Sequence, residues 1–241
     1  MKTLKLVLAL LTVGVLASCE KDTTSGFARE TNYPIFTVSG ADPMFVSLGT
    51  TFTDPGVDAS EGGNSIPVTT SAVGQYRGGS TVDGNVSDRY VLTYSASNKD
   101  GFSGTAGRVV YVVKTGDLTT SIEGLYTARI IRNGDPKTTA TEYVLIWKNS
   151  DGTFGMSCAF GSYYELNLGY GLAYAARGTV ITANDIGTND FSFNTPSHPT
   201  WGGDITFNAM TVDAGAKTVS FDCDWALTGW NWDIQLTQVA L

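Results

Sequence analysis

The chain has 241 residues, 28 of them glycine, with 15 basic against 23 acidic side chains and a net charge of −8. A surface this acidic excludes the phosphate-neutralising chemistry of a nucleic-acid binder and electrostatic docking on anionic lipid. Glycine, serine and threonine are abundant and helix-period apolar patterns are nearly absent beyond the first residues, which points to an all-β chain with many turns.

In chain order, Met1-Lys2-Thr3-Leu4-Lys5 precedes an apolar stretch from Leu6 to Val15 and the run Leu16-Ala17-Ser18-Cys19. A basic start, a short apolar core and small residues before a cut make residues 1–18 a signal peptide. Leu4 to Ala17 is 14 residues, short of the roughly 20 a spanning helix needs. The Leu16–Cys19 run resembles a bacterial lipobox, which implies that Cys19 carries lipid after cleavage. An ordinary secretory signal with an incidental cysteine is the alternative, and the polar start from Glu20 to Gly26 argues against it, because it makes a good tether. Residues 19–32 then form a lipidated linker, and loss of Lys2 and Lys5 takes the net charge to −10. Glu20 and Asp22 resemble the surface-export pattern of Bacteroidetes lipoproteins, so the expected location is the outer membrane at the cell surface, with the periplasmic face left open.

The first domain is expected over residues 33–115. Tyr33–Phe36, Met44–Gly49, Thr51–Thr53 and Ile66–Val73 read as short strands, with Asp54-Pro55-Gly56 as turn chemistry. Tyr90, Leu92, Tyr94 and Ala96 share one face of the clearest strand, and the β-branched run Arg108–Val113 closes the unit as a sandwich of antiparallel strands. Phe52–Ala59, the pair Val82-Asp83, Tyr90–Ala96 and Arg108–Val112 resemble the bacterial immunoglobulin-like repeats of surface proteins, which implies a spacer or adhesion module without catalytic residues. Asp54, Asp58, Asp83 and Asp100 could be offered to calcium, but without EF-hand spacing they read as turn aspartates.

The second domain is expected over residues 117–241 as an antiparallel β-sandwich or barrel. Tyr126–Ile131 and Thr141–Trp147 join through Asn133-Gly134-Asp135-Pro136, Thr153–Phe160 follows, and Lys217–Leu227 and Asn231–Val239 end the chain. Between them, Tyr163–Tyr174 is rich in tyrosine and glycine. Gly161-Ser162-Tyr163-Tyr164, Gly169-Tyr170-Gly171 and Trp201-Gly202-Gly203-Asp204 resemble the C-terminal domain, of unknown function, of Bacteroidetes outer-membrane lipoproteins associated with glycan-utilisation loci. The resemblance implies a polysaccharide or oligosaccharide ligand and outer-membrane glycan-uptake proteins as partners.

Sugar sites pair flat aromatic faces with planar polar side chains. By parity, Trp225 falls with Val219, Phe221 and Cys223, Trp230 and Trp232 fall with Ile234 and Leu236, and Tyr164, Tyr170 and Tyr174 share a parity with Leu166, Leu168 and Leu172, all of which reads as core. Tyr163 stands out of step beside Glu165 and Asn167, and Trp201 lies in a Pro- and Gly-punctuated loop ending at Asp204, where it either meets ligand or folds back to cap the end of the barrel or sandwich. Trp201, Tyr163, Asp204, Glu165 and Asn167 are therefore the candidate ligand-binding residues.

Catalysis lacks parts. His198 is the one histidine and reads as a solvated loop side chain, no nucleophile elbow is present, and Cys158 and Cys223 fall on inward faces, either bridged or packed as thiols. Asp222 and Asp224, about 7 Å apart on one strand face, read as solvation before they read as the acid and base of a glycoside hydrolase. The expectation is a non-catalytic carbohydrate-binding surface lipoprotein needing no metal or cofactor. A structural or adhesion lipoprotein with a protein partner is the alternative reading, and a glycoside hydrolase the third.

Overall fold

The computed structural model describes residues 31–137 and 142–241. The signal peptide, Cys19 and nearly all of the linker lie outside the described residues. The rest is almost entirely β-structure, as expected from composition.

The N-terminal domain is a two-sheet sandwich. One sheet orders β1 (Ile35–Val38), β3 (Val57–Glu61) and β4 (Asn64–Ile66), and the other orders β2 (Met44–Ser47), β7 (Ser103–Val113), β6 (Asp88–Ser97) and β5 (Thr69–Gly74). Ile66–Val73 was expected as one strand; it is two, divided at Pro67 and placed in opposite sheets, because proline cannot donate to a ladder. The sandwich is not wholly antiparallel, since β2 runs parallel to β7. Tyr90, Leu92 and Tyr94 are buried between the sheets with Val110 and Val112, as alternation requires. Each such side chain contributes roughly 1.5–3 kcal/mol by leaving water.

A buried polar network joins the two sheets. Arg108, 1% exposed, donates from Nε to the Tyr94 hydroxyl at 3.1 Å and from its two terminal nitrogens to the Ala41 and Ser39 carbonyls. Tyr94 in turn donates to Asp54 Oδ2 at 2.8 Å, and Asp54 Oδ1 accepts Gly56 N–H at 3.0 Å. The other aspartates singled out in the sequence stand apart from this one: Asp83 caps its own turn at Asn85, and Asp100 accepts the Thr31 hydroxyl.

The C-terminal domain is a nearly closed antiparallel barrel. Its order is β13 (Asp190–Phe193), β12 (Thr179–Asp185), β11 (Phe154–Met156), β10 (Tyr143–Lys148), β8 (Gly124–Arg132), β16 (Trp230–Gln238), β15 (Thr218–Trp225) and β14 (Ile205–Asp213), with β9 (Asp135–Lys137) on β8. Across the gap between β13 and β14, Phe193 and Phe207 stack at 4.8 Å and Asn189 Oδ1 accepts Val212 N–H at 2.7 Å. Trp232, Ile234 and Leu236 fill the interior opposite Val219, Phe221 and Cys223, as parity predicts. The strand expected over Thr153–Phe160 stops at Met156. Cys158 and Phe160 still point inward, but from an irregular segment beyond the strand.

The two domains share a third apolar cluster. Tyr111 and Val113 of β7 meet Leu125 of β8 and Leu145 of β10, flanked by Tyr76, Tyr143 and Trp147. Val110 and Val112 face the sandwich core while Tyr111 and Val113 face the barrel, so β7 is buried on both sides, and so is β10, where Val144 and Ile146 alternate with Leu145. Continuous apolar runs without polar alternation are the mark of strands buried on both faces. The immunoglobulin-like unit is thus packed against the barrel wall.

Candidate functional site

The stretch Gly161–Gly171 is no strand. Gly161 and Ser162 both have positive φ, 65° and 63°, which ends extended structure and starts a π-helical turn over Tyr163–Asn167. A Cβ at Gly161 would lie 2.8 Å from Ile130 Cδ1, so the chain comes this close to the barrel only without a side chain. A short 3-10 turn, Leu172–Tyr174, follows. Parity groups the tyrosines here as core; Tyr164 is buried as that reading expects, but the helical turns leave Tyr170 52% exposed.

These turns sit beside the 198–203 loop and the β15–β16 hairpin, and the three elements enclose a groove of about 310 Å³ lined by Tyr164, Tyr170, Trp201, Trp225, Leu227, Thr228 and Trp230. Trp201, 36% exposed, forms one wall, with Tyr164 edge-on at 4.8 Å and Trp225 at 5.8 Å. Trp225 is anchored by donating from Nε1 to the Gly202 carbonyl at 2.9 Å. The Arg132 guanidinium lies 4.0 Å from the Trp230 ring centre and donates to the Tyr164 hydroxyl at 3.1 Å, which brings one cation to the groove edge.

His198 is not the solvated side chain its loop position suggests. It is 2% exposed, stacked between Phe160 at 6.0 Å and Trp201 at 4.8 Å, and its Nδ1 accepts the backbone N–H groups of Thr200 and Trp201. Burial holds its pKa below the usual histidine value, against a smaller opposing effect of the Tyr174 backbone. Accepting at Nδ1 is open only to the unprotonated nitrogen, so the neutral imidazole shapes this loop.

Of the five residues expected to bind ligand, the groove contains Trp201 alone. Tyr163 is half-buried against Trp232 at 5.7 Å, because the helical turn carries it toward the barrel interior. Glu165 is 2% exposed and faces the domain junction, where Tyr76 donates to its Oε1. Asn167 is half-buried on the same turn. Asp204 is exposed, with its carbonyl accepting Ala226 N–H beyond the groove wall. Reading by parity missed Tyr164, Tyr170, Trp225 and Trp230. The signal for the tryptophans was their position on either side of the β15–β16 turn, where they pair across the strands; for the tyrosines it was the glycine spacing, which argues against a regular strand.

The carboxylate pair also has a different setting. Asn208 is the extra residue of a β-bulge in β14, and its Nδ2 donates to both Asp222 Oδ2 at 2.7 Å and Asp224 Oδ2 at 3.0 Å. Hydrogen bonds from Asn231 and Asn208 hold Asp224 below its usual pKa, which favours the ionised form. Cys158 and Cys223 are free, buried thiols. Among the described residues no three histidine, cysteine or acidic side chains converge as a metal site.

Comparison with known proteins defines the class. A family model of a C-terminal domain matches residues 115–238, more than half of the chain, and the model of the bacterial surface protein immunoglobulin-like domain matches residues 36–112. The chain belongs to the family which that C-terminal domain defines, and the bacterial surface module ahead of it points to the cell envelope. The crystal structure of the lipoprotein BT2262 from Bacteroides thetaiotaomicron has the same fold, with a TM-score of 0.63 at 24% sequence identity over 86% of this chain and 100% of that one. No curated protein matches the chain.

Proposed function

We propose that this protein is a lipid-anchored outer-membrane surface protein that binds a neutral polysaccharide or oligosaccharide, without catalysis, in the aromatic groove of its C-terminal barrel. The observation that carries the reading is the exposed aromatic surface on which Trp201 and Tyr170 meet edge to face at 6.4 Å, beside Trp225 and Trp230 in the lining of one groove. Flat rings take up the C–H face of a sugar, while the Tyr164 hydroxyl, Thr228 and the Arg132 guanidinium at the rim can meet its hydroxyls. The lining holds no carboxylate, which favours binding over the acid and base chemistry of a glycoside hydrolase. At Asp224, hydrogen bonds from Asn231 and Asn208 favour ionisation, the opposite of what a general acid requires. Lipid on Cys19 would hold the protein at the membrane beside glycan-uptake proteins.

Affinity electrophoresis and calorimetry over a panel of neutral and acidic glycans test the reading. Retention by a neutral glycan, lost in Trp201→Ala and Tyr170→Ala, supports it. No retention on any glycan, or retention unchanged by both substitutions, overturns it. Recovery of one stoichiometric protein partner through the same groove residues would instead support the adhesion reading, which the apolar character of the lining and the exposed Leu227 also suit.

A further inference from the structure

Glu165 is a buried carboxylate that the groove does not use. It follows Tyr164 directly on the π-helical turn and faces the other way, into the junction between the domains. Its Oε1 accepts the Tyr76 hydroxyl at 2.9 Å, and its Oε2 is buried with no hydrogen-bond partner. Tyr76 is itself well fixed. Its backbone N–H donates to Asp88 Oδ1 at 2.9 Å, and its ring stacks on Trp147 at 6.3 Å with 13° between the planes. One hydrogen bond therefore runs from the immunoglobulin-like domain to the turn that carries a groove residue.

A single five-residue turn has little stability of its own and is held by its surroundings. Its backbone bonds run from Leu166 and Asn167 N–H to the Ser162 carbonyl and from Leu168 N–H to the Tyr163 carbonyl, all within the segment. Tyr164 ties one side to the groove, and Glu165 ties the other to Tyr76. Removing the sole partner of a buried acceptor exposes its full desolvation cost, so this bond weighs more than a surface one. We infer that Tyr76 is a positioning residue for the groove: by gripping Glu165, the immunoglobulin-like domain sets the turn that presents Tyr164 and Tyr170 to ligand. The functional meaning rests on the groove being the binding site; the mechanical coupling does not.

The charge state of Glu165 supplies a readout that a passive packing role would lack. Burial pushes its carboxyl up to about 7, against the Tyr76 hydrogen bond and the charges of Arg89 and Arg177, while the charge of Glu142 adds to the rise. Tyr111, also at the junction, faces Tyr76, and Cys158 lies near Glu165 on the barrel side with its thiol pushed up to about 12 by burial. Of Glu165, Tyr111 and Cys158, only Glu165 changes charge near neutrality, the other two being pushed up to about 12. The neutral carboxyl suits its enclosure and the ionised one does not, so the turn is held more tightly below neutrality than above it.

The test is hydrogen exchange on the ligand-free full chain, with protection of residues 163–171 followed from about pH 6 to about pH 8.5 after correction for intrinsic rates. In the wild type, protection is expected to fall roughly tenfold across this range, the scale of one net hydrogen bond. Tyr76→Phe should lower it by about the same factor at the acid end and move the transition upward, because the bond that favours ionisation is gone. Glu165→Gln keeps an acceptor for Tyr76 without a charge, and should stay protected with no pH dependence. Unchanged protection of 163–171 in Tyr76→Phe, or a wild-type pH profile in Glu165→Gln, overturns the inference. Should Tyr76→Phe unfold the N-terminal domain, visible as lost protection at 90–112, the Glu165→Gln comparison decides alone. No ligand takes part, so this coupling and the glycan reading can fail separately.

Discussion

The His198 imidazole both folds the Trp201 loop and backs its ring: Nδ1 accepts the Trp201 backbone N–H at 3.2 Å while the two rings stack at 4.8 Å with 27° between planes. One side chain thus sets the backbone and the indole of the most exposed tryptophan in the groove, and it can do so only while neutral.

Acid should therefore loosen this loop. The unfolded chain binds a proton at His198 near pH 6.5, whereas burial lowers the folded value. The unfolded state then holds more protons in the window just below 6.5, so the contribution is complete above that pH and is lost as pH falls through the lower folded value. With one histidine in the chain, its ring proton resonance can be followed by NMR without ambiguity. A midpoint below 6.5 in the folded protein is expected, and a midpoint at or above 6.5 contradicts the assignment of Nδ1 as acceptor.

Arg108 should be among the most sensitive positions of the N-terminal domain. Its guanidinium is enclosed with two carbonyls, the Tyr94 hydroxyl and, at 3.8 Å, Asp54. Arg108→Ala leaves buried acceptors unpaired and is expected to cost about 3–5 kcal/mol, whereas Tyr94→Phe removes one hydroxyl for about 1–2 kcal/mol. Urea denaturation measures both, and equal losses would contradict the central place of Arg108 in the network.

Gly203 holds the groove wall together by having no side chain. Its φ is 80°, and a Cβ there would lie 2.7 Å from Leu227 Cβ and 3.0 Å from Trp225 Nε1. Gly203→Ala should push the 198–203 loop off the hairpin, at a cost of roughly 1–3 kcal/mol. The expected signature is a red-shifted tryptophan emission together with lowered thermal stability; an unshifted emission maximum would mean that the loop accommodates the methyl group.

The two thiols should be inert in the folded protein. Cys158 accepts Ala176 N–H at its sulfur at 3.3 Å, its pKa is pushed up to about 12 by burial, and burial likewise raises that of Cys223. Reactivity follows the thiolate and access to it. Titration with a thiol reagent should therefore label neither cysteine before unfolding and both after it, whereas labelling of the native protein at neutral pH would show that the barrel end opens.

Much of the fold was legible in the residues. The alternation of Tyr90, Leu92, Tyr94 and Ala96 placed β6 and its core face, and Trp232, Ile234 and Leu236 did the same for β16, because a strand facing one core writes its burial into every second residue. Pro67 marked a division that the apolar pattern around it concealed. The run Val109–Val113 carried the sign of a strand buried on both faces, which is where the two domains meet.

The groove was far less legible. Trp201 could be recognised from its loop, since proline and glycine on either side forbid a central strand. Parity assigns Tyr164, Tyr170, Trp225 and Trp230 to the core, and Tyr164 and Trp225 are indeed buried there with Trp230 packed against them. But parity does not show that core rings at a barrel end also line a groove, and it fails outright for Tyr170, where a regular strand gives way to helical turns.

The sequence by itself determined the β class, the two apolar cores and the loop position of Trp201, because these follow from local periodicity and turn chemistry. Only the tertiary structure decided that His198 backs Trp201, that Glu165 belongs to Tyr76 of the other domain, and that aromatics from three separate segments enclose one groove. Those contacts join residues 3 to 89 positions apart, and their geometry depends on how the barrel closes, which no local pattern records.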